Sequence, residues 1–292
     1  FGMGYDQEGS EYTQFFSVET SSKKFEQDVG MAGLQMFSVK PEGESVTYDE
    51  ANQTFVQQFN HLNYASGIII TEEAYDDNQY NIDVFKPRSM ELAFAAKTTR
   101  ETIAANVLNR GFNTAYTMGT NSSGKPLFSA SQIAGGAGVT TAMSNLSTAG
   151  DLSELVLEGM VITIAQAVDN RGKHIRLMPH QLIIPPGLMM DAERILGSTL
   201  QNDTANNAIN VLKSKSWFPG GILVNHYLVD TDAFFVTTSI NKSGGGLVWY
   251  DRKPLTFGAD NEFDTSNAKY KATFRVSAGW RDWRGVSGNA GV

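Results

Sequence analysis

Apolar positions follow different periods in different parts of this chain, and the changes of period divide it. Residues 1 to about 30 are polar and glycine-bearing, with Tyr12, Phe15 and Phe16 scattered at neither helical nor strand spacing. Such a segment cannot bury its aromatics within itself, so it is expected to be an extended arm lying on a core or on a neighbouring chain. From Met31 to about Phe59, two stretches of partial alternation flank Pro41-Glu42-Gly43-Glu44. Thr47, Phe55 and Val56 favour strand, while the proline and glycine favour a turn, which together predict a long hairpin. A lone two-stranded ribbon is only marginally stable in water, so this hairpin needs a partner surface.

Helical periodicity begins beyond Thr71-Glu72-Glu73, where a hydroxyl can cap an orphan amide and two acids complement the positive helix end. That first piece is short. Pro87 belongs in a first turn and not in a helix interior, so a long helix is expected to start near Lys86 or Pro87. Leu92, Ala96, Thr99, Ile103 and Val107 share one face, and Gly111 is a C-terminal stop. Residues 119–150, with Gly135-Gly136-Ala137-Gly138 at their centre, predict a loop. Asp151 with Glu154 reads as a capping box for a helix carrying Val156, Met160, Ile164 and Ala167, which stops near Asn170-Arg171-Gly172. Leu182-Ile183-Ile184 before two prolines has the form of a buried strand, and a helix over 188–196 follows. Gly221-Ile222-Leu223-Val224, 233–238, 246–250 and 270–277 predict strands that pair with one another and pack on the long helix. The class is α+β.

Composition narrows the function more than the fold. The 292 residues are 41% hydrophobic, enough for a sizeable core. With 23 Lys and Arg against 31 Asp and Glu, the net charge is −8, which opposes a surface built to neutralise many phosphates. No cysteine is present, so disulfides and thiolate metal sites are excluded. No apolar run has membrane-spanning length and no basic start precedes an apolar stretch, so neither a membrane helix nor a secretory signal is expected.

Chemical constellations are sparse. His61, His174, His180 and His226 lack the spacing of a zinc motif, and packing or surface roles suit them. Ser122-Ser123-Gly124-Lys125 matches the Ser-x-x-Lys form of some acyl-transfer enzymes without their companion motifs. Glu72, Glu73, Asp76, Asp77 and Asp83 form an acidic run without calcium-loop spacing, which reads as a solvated helix start. Asn52-Gln53-Thr54 and Asn121-Ser122-Ser123 read as polar loops. Trp249, Tyr250, Trp280 and Trp283 lie near Arg252, Arg281 and Arg284, a combination that suits base stacking but also subunit contacts.

Five segments, taken in order, carry a family resemblance. They are Asp28-Val29-Gly30-Met31-Ala32-Gly33; Pro41-Glu42-Gly43-Glu44 with Tyr48-Asp49-Glu50; Gly124-Lys125-Pro126-Leu127-Phe128-Ser129; Leu182-Ile183-Ile184-Pro185-Pro186; and Phe274-Arg275-Val276-Ser277-Ala278-Gly279-Trp280-Arg281-Asp282-Trp283-Arg284-Gly285-Val286. Together they resemble tailed-phage major capsid proteins of the Mu-like major head subunit family, whose fold is the Hong Kong 97 type. Relatives follow the third segment with a His-Pro pair where this chain has Ala130-Ser131-Gln132.

The resemblance implies an α+β Hong Kong 97-like capsid fold in six parts: an N-terminal arm (1–30), an extended hairpin loop (31–66), a peripheral domain with the spine helix (67–135), an axial domain (136–229), peripheral strands (230–276) and a return to the axial domain (277–292). It implies a structural, non-catalytic subunit without cofactor or metal. Copies would self-assemble as hexamers and pentamers into an icosahedral virion shell in the bacterial host cytoplasm. Scaffold, portal and possible decoration proteins would be partners, with packaged double-stranded DNA held without sequence-specific binding and no membrane involved. Contact candidates between subunits are Phe15 and Phe16 in the arm; Met31, Met36, Phe37, Glu42, Glu44 and Phe55 in the hairpin; and Trp280, Trp283 and Arg284 near the C-terminus. Lys23, Lys24 and Lys40 lie near the hairpin without an identifiable acceptor, so no covalent cross-link is expected. An encapsulin-like nanocompartment of the same fold and a hydrolase using Ser122 and Lys125 or the acidic run are the competing readings.

Because the net charge opposes phosphate and no reading helix is evident, free subunits should bind duplex DNA weakly and without sequence preference at physiological salt. Fluorescence anisotropy with unrelated duplexes checks this; nanomolar, sequence-selective binding would refute it.

Overall fold

The computed structural model describes residues 9–50, 53–77, 85–119, 123–133, 143–200, 208–262 and 264–292. Two four-stranded sheets share two hydrophobic cores, and one chain crosses between the sheets more than once. The first core lies on the first sheet and takes in Ile183, Leu223, Phe235 and Val286 of the second, while the second core lies against Leu182, Ile184, Phe234 and Val236. Ser122, the glycine cluster at 135–138, Asp83, Asn52 and Asn121 lie outside the described residues.

The first sheet has the order β1-β8-β9-β4. Its centre is a long antiparallel pair, β8 (Leu247–Asn261) and β9 (Ala268–Trp280). Strand β4 (Leu62–Ile70) lies antiparallel on β9, from Leu62 opposite Val276 to Ile70 opposite Ala268. Ala272, Phe274 and Val276 alternate inward along β9, the two-residue period that gives a sheet one apolar face. Thr71 caps a five-residue helix, α1 (Glu72–Asp76), by accepting from the Ala74 amide, as the sequence predicts. The spine helix α2 (Phe85–Asn109) packs on β9 and β4. Ala93, Ala96, Ala104 and Ala105 are buried on it, and their small side chains let the helix lie close to the sheet.

The buried stripe of that helix differs from the expected one. Thr99 and Ile103 are half-buried, whereas Arg100 and Glu101 are buried. Both charges have polar partners. Arg100 donates to both Asp251 carboxylate oxygens at 3.0 Å and to the Tyr12 hydroxyl at 2.8 Å. Its guanidinium also lies over the Tyr12 and Trp249 rings, 5.6 and 5.4 Å from their centroids. Glu101 accepts the backbone amides of Glu11 and Tyr12, each at 3.0 Å.

These bonds seat the N-terminal arm on the core of its own subunit, the first of the two expected alternatives. Tyr12, Phe15 and Phe16 enter the first core of their own subunit, Phe15 being only 3% exposed. Strand β1 (Ser17–Thr20) then joins the sheet edge, parallel to β8 with Ser17 opposite Val248. Next, β2 (Phe25–Met31) pairs antiparallel with β3 (Gln53–Asn60) from Phe25 opposite Asn60 to Met31 opposite Gln53. The paired ribbon therefore begins inside the segment read as arm, and residues 32–50 hold no regular strand. The expected turn is present. The Glu44 amide reaches the Pro41 carbonyl at 3.3 Å, with Gly43 at φ 83°, where a side chain would be strained.

The second sheet has the order β10-β7-β5-β6. Strand β5 (Pro179–Ile184) is internal, parallel to β6 (Ile222–Val224) and antiparallel to β7 (Phe234–Thr238), which accounts for its unbroken apolar run. The expected grouping of 233–238 with the later strands does not hold, because β7 pairs with β5 and with β10 (Val286–Asn289). Helices α3 (Glu154–Ala165), α4 (Met189–Gly197) and α5 (Val211–Ser214) contribute to this core, where Leu157, Met160, Val161 and Ile164 of α3 meet Leu182, Ile184, Phe234 and Val236. The α3 cap is Ser153, whose hydroxyl accepts from the Val156 amide, and not Asp151. A short helix α6 (Ser239–Lys242) follows β7. Between the two cores, Asn145 donates to the carbonyls of Leu127, Trp283 and Val286. Gln132 closes the loop where relatives carry His-Pro, donating to the Pro126 and Leu127 carbonyls at 2.9 Å. Among the described residues no helix is long and apolar enough to cross a membrane.

Burial pushes the Glu101 carboxyl above its ordinary value of 4.5, against the opposing pull of the two amides. The folded subunit thus holds this proton more tightly than the unfolded chain. The group alone makes stability fall as pH rises from the ordinary value through the raised one. Glu101→Ala should leave two amides without their acceptor, cost about 2 kcal/mol, and remove that slope. Urea titrations across pH, with amide exchange at residues 11–12, check this; unchanged exchange there would refute it.

Candidate functional site

The most exposed apolar segment is the apex of the ribbon. In residues 32–50, Leu34, Met36, Phe37, Val39, Val46 and Tyr48 all face solvent, with Phe37 100% and Tyr48 92% exposed. Met31 at the ribbon end and Glu42 and Glu44 at the turn are exposed as well, while Phe55 is half-buried. Of the hairpin contact candidates, five are therefore open to a neighbour in the single subunit and Phe55 is partly so.

The neck of this loop is held by the turn after α3. Arg171 Nε donates to the Gly33 carbonyl and Nη2 to the Glu50 carbonyl, each at 3.1 Å, and the guanidinium lies 3.6 Å from Asp49. Lys173 Nζ donates to the Leu34 carbonyl at 2.6 Å and pairs with Asp169 at 3.2 Å. Asp49 accepts the Gln35 amide at 2.8 Å. That bond, with Arg171 beside it, holds the Asp49 carboxyl below the usual carboxylate range. One cation pair thus grips both strands of the neck, while the loop beyond stays bare.

The ribbon is fixed to the first sheet through Arg281. Its guanidinium binds both Glu19 oxygens on β1 and Asp28 on β2, all at 2.6 Å, together with the Tyr250 hydroxyl at 2.6 Å and the Gly244 carbonyl at 3.1 Å. The hydrogen bonds to Glu19 favour its charged form, and burial pushes the Tyr250 hydroxyl up to about 12. Nearby, His61 Nδ1 lies 2.9 Å from Ser277 Oγ and Nε2 lies 3.1 Å from Ser21 Oγ. Burial lowers its pKa, which suits a packing role for a neutral ring.

The remaining contact candidates are used within the subunit. Phe15, Phe16 and Trp280 are buried in the first core, Trp280 edge-on to Tyr116. Arg284 is buried, donating to the Val168 carbonyl and Asn170 Oδ1 and stacking 4.5 Å from the half-buried Trp283 ring. Phe15, Phe16, Trp280 and Arg284 are thus covered by their own chain in the single subunit. Lys125 Nζ lies 3.2 Å from Ser131 Oγ, and Glu72 and Glu73 stay exposed. Among the described residues no group of three His, Cys, Asp or Glu could hold a metal ion.

The sequence reading missed Arg171 and Lys173 as neck residues. They flank Gly172 in a segment whose only legible signal was the end of a helix.

The profile of a phage capsid protein family matches residues 59–287. The chain belongs to that family. Its subunit fold is also that of capsid structures. The capsid of cyanophage P-SCSP1u is similar at a TM-score of 0.62 and 12% identity, over 97% of this chain and 88% of that one. The capsid of Myoviridae phage XM1 is similar at 0.58 and 12%, over 97% and 92%. A virus-like particle from Pyrococcus furiosus is similar at 0.54 and 10%, over 98% and 94%. No curated protein matches by sequence. The fold is thus the Hong Kong 97-like capsid fold, and the protein is a structural, non-enzymatic capsid subunit that associates with itself into shells.

In this capsid subunit Arg281 holds two carboxylates that would otherwise repel each other. Arg281→Ala should destabilise it by about 1–3 kcal/mol, discounted for partial exposure of the partners. Urea unfolding measures the loss, and retention of full stability would refute the role.

Proposed function

We propose that this capsid subunit builds the head of a tailed phage of the Mu-like type, arranged as hexamers and pentamers around double-stranded DNA. The first sheet, the spine helix and the ribbon form the peripheral body. The second sheet with α3 to α5 forms the axial body, now including β7. The observation that carries this reading is the loop at 32–50, with six large apolar side chains exposed on a neck that its own subunit fixes. Covering a Phe or Leu side chain is worth about 1.5–3 kcal/mol, so a loop of this kind supplies contact energy only once a neighbour is present.

A net charge of −8 suits a container whose walls do not adhere to packaged DNA. Assembly in the host cytoplasm with scaffold and portal proteins follows from the same reading. The competing reading is a nanocompartment of the same fold that encloses a cargo protein. Particle contents distinguish the two.

Replacing residues 35–48 by a short Gly-Ser linker leaves the neck carbonyls in place and removes most of the exposed apolar surface. Circular dichroism and thermal melting should stay near those of the parent chain, while sedimentation and negative-stain images should show no closed shells. Normal shells, or collapse of the fold, would refute the assignment. Nuclease-resistant nucleic acid inside parent particles purified from infected or scaffold-supplied cells supports a phage head; an enzyme cargo in its place overturns it.

A further inference from the structure

Helix α3 is apolar on more than its buried side. Leu157, Met160, Val161 and Ile164 fill the second core, yet on the other face Leu155 is 78% and Ile162 57% exposed. A helix at a subunit surface ordinarily turns a polar face outward, and one that is apolar all round belongs inside a larger body. Residues 155, 159 and 162 are separated by four and three positions, so they form a single outer stripe.

The middle of the stripe is Gly159. Glycine in a helix interior costs about 1 kcal/mol relative to alanine, and nothing among the described residues requires it. Its φ is not positive, and a Cβ added there would meet no atom within 4 Å. The contrast with Gly279 is direct, since a Cβ there would lie 2.3 Å from Met118. Gly159 therefore keeps open a space that the described subunit does not use. A hollow of about 510 Å³ adjoins the stripe at Leu155, lined also by Leu152, Glu154, Asp191, Arg194 and Ile195.

We propose that this face is a contact between subunits, in which a second copy of this chain crosses α3 closely at Gly159 and covers Leu155 and Ile162. The inference rests on the shell-forming reading and adds the surface through which neighbours in one ring meet. A second copy is the occupant that fits. The subunit associates with itself, the stripe carries no charge, and Glu154 and Glu158 beside it disfavour nucleic acid. The contact is heterologous, because a ring of more than two copies closes only when this face meets a different surface of the next subunit.

The test compares the full chain with Gly159→Leu, Gly159→Ala and the double variant Leu155→Glu with Ile162→Lys, under conditions in which the parent chain forms shells. Circular dichroism should stay near native, and Gly159→Ala should melt higher than the parent because the helix gains propensity. Gly159→Leu and the double variant should sediment as subunits without closed shells, and Gly159→Ala should give fewer shells despite its higher melt. Parent-like shell yield from the double variant and from Gly159→Ala would overturn the proposal, whether or not Gly159→Leu folds. So would normal shells that had lost only a bound accessory protein, which would assign the face to that partner. Absence of shells from the parent chain would instead overturn the assembly reading itself.

Discussion

The subunit depends on two charges placed side by side on the buried face of the spine helix. Taking Arg100 and Glu101 out of water is costly, and hydrogen-bonding partners offset part of that cost. Arg100 finds them in Asp251 and the Tyr12 hydroxyl, and Glu101 in two backbone amides of the arm. Both solutions recruit the N-terminal segment. Once Tyr12, Phe15 and Phe16 are seated, β1 is positioned on the edge of β8, and Glu19 on β1 reaches Arg281. Arg281 also takes Asp28 on β2, so the ribbon inherits its position from the helix through the arm. Removing the charge pair would release more than a local contact, because each later link is positioned by the one before.

The two sheets are joined by an arrangement that leaves few simple breaks. The chain leaves the first sheet after β4 and the spine helix, builds most of the second sheet, returns for β8 and β9, and ends with β10 beside β7. Arg284 binds the turn after α3, and Asn145 ties the loop before α3 to the C-terminal segment. The aromatic and arginine residues of the C-terminal segment serve this seam. They are the same residue types that subunit interfaces favour, so composition alone does not tell a seam within the subunit from a contact between subunits.

What could be read from the sequence was local or strongly periodic. The Thr71 cap, the limits of the spine helix, the Pro41–Glu44 turn and the internal strand at Leu182-Ile183-Ile184 each depend on a few neighbouring residues, and each is present. The exposure of Met36 and Phe37 follows from a hairpin too long to cover itself. What could not be read was set by distant partners. A charge on a helix face is buried only if a carboxylate 151 positions away lies opposite, as Asp251 does for Arg100. Strand β7 carries an apolar run equally suited to either sheet, and its pairing with β5 and β10 decides. Ser153 and Asp151 are both competent caps, and the start of the helix against its core selects the serine.

A firm base with an exposed tip suits the assembly proposed for this subunit. If residues 32–50 were loose from the neck, each docking event would have to order the whole loop, and that entropy would weaken the contact. Arg171 and Lys173 remove part of that cost before any neighbour arrives, while leaving Phe37, Val39 and Tyr48 uncovered. Gripping the neck, chiefly through backbone carbonyls, fixes the direction of the loop without constraining the residues at its tip. The subunit thus supplies geometry and the lattice supplies burial. No single contact need be strong, because a closed shell repeats each modest one at every neighbour.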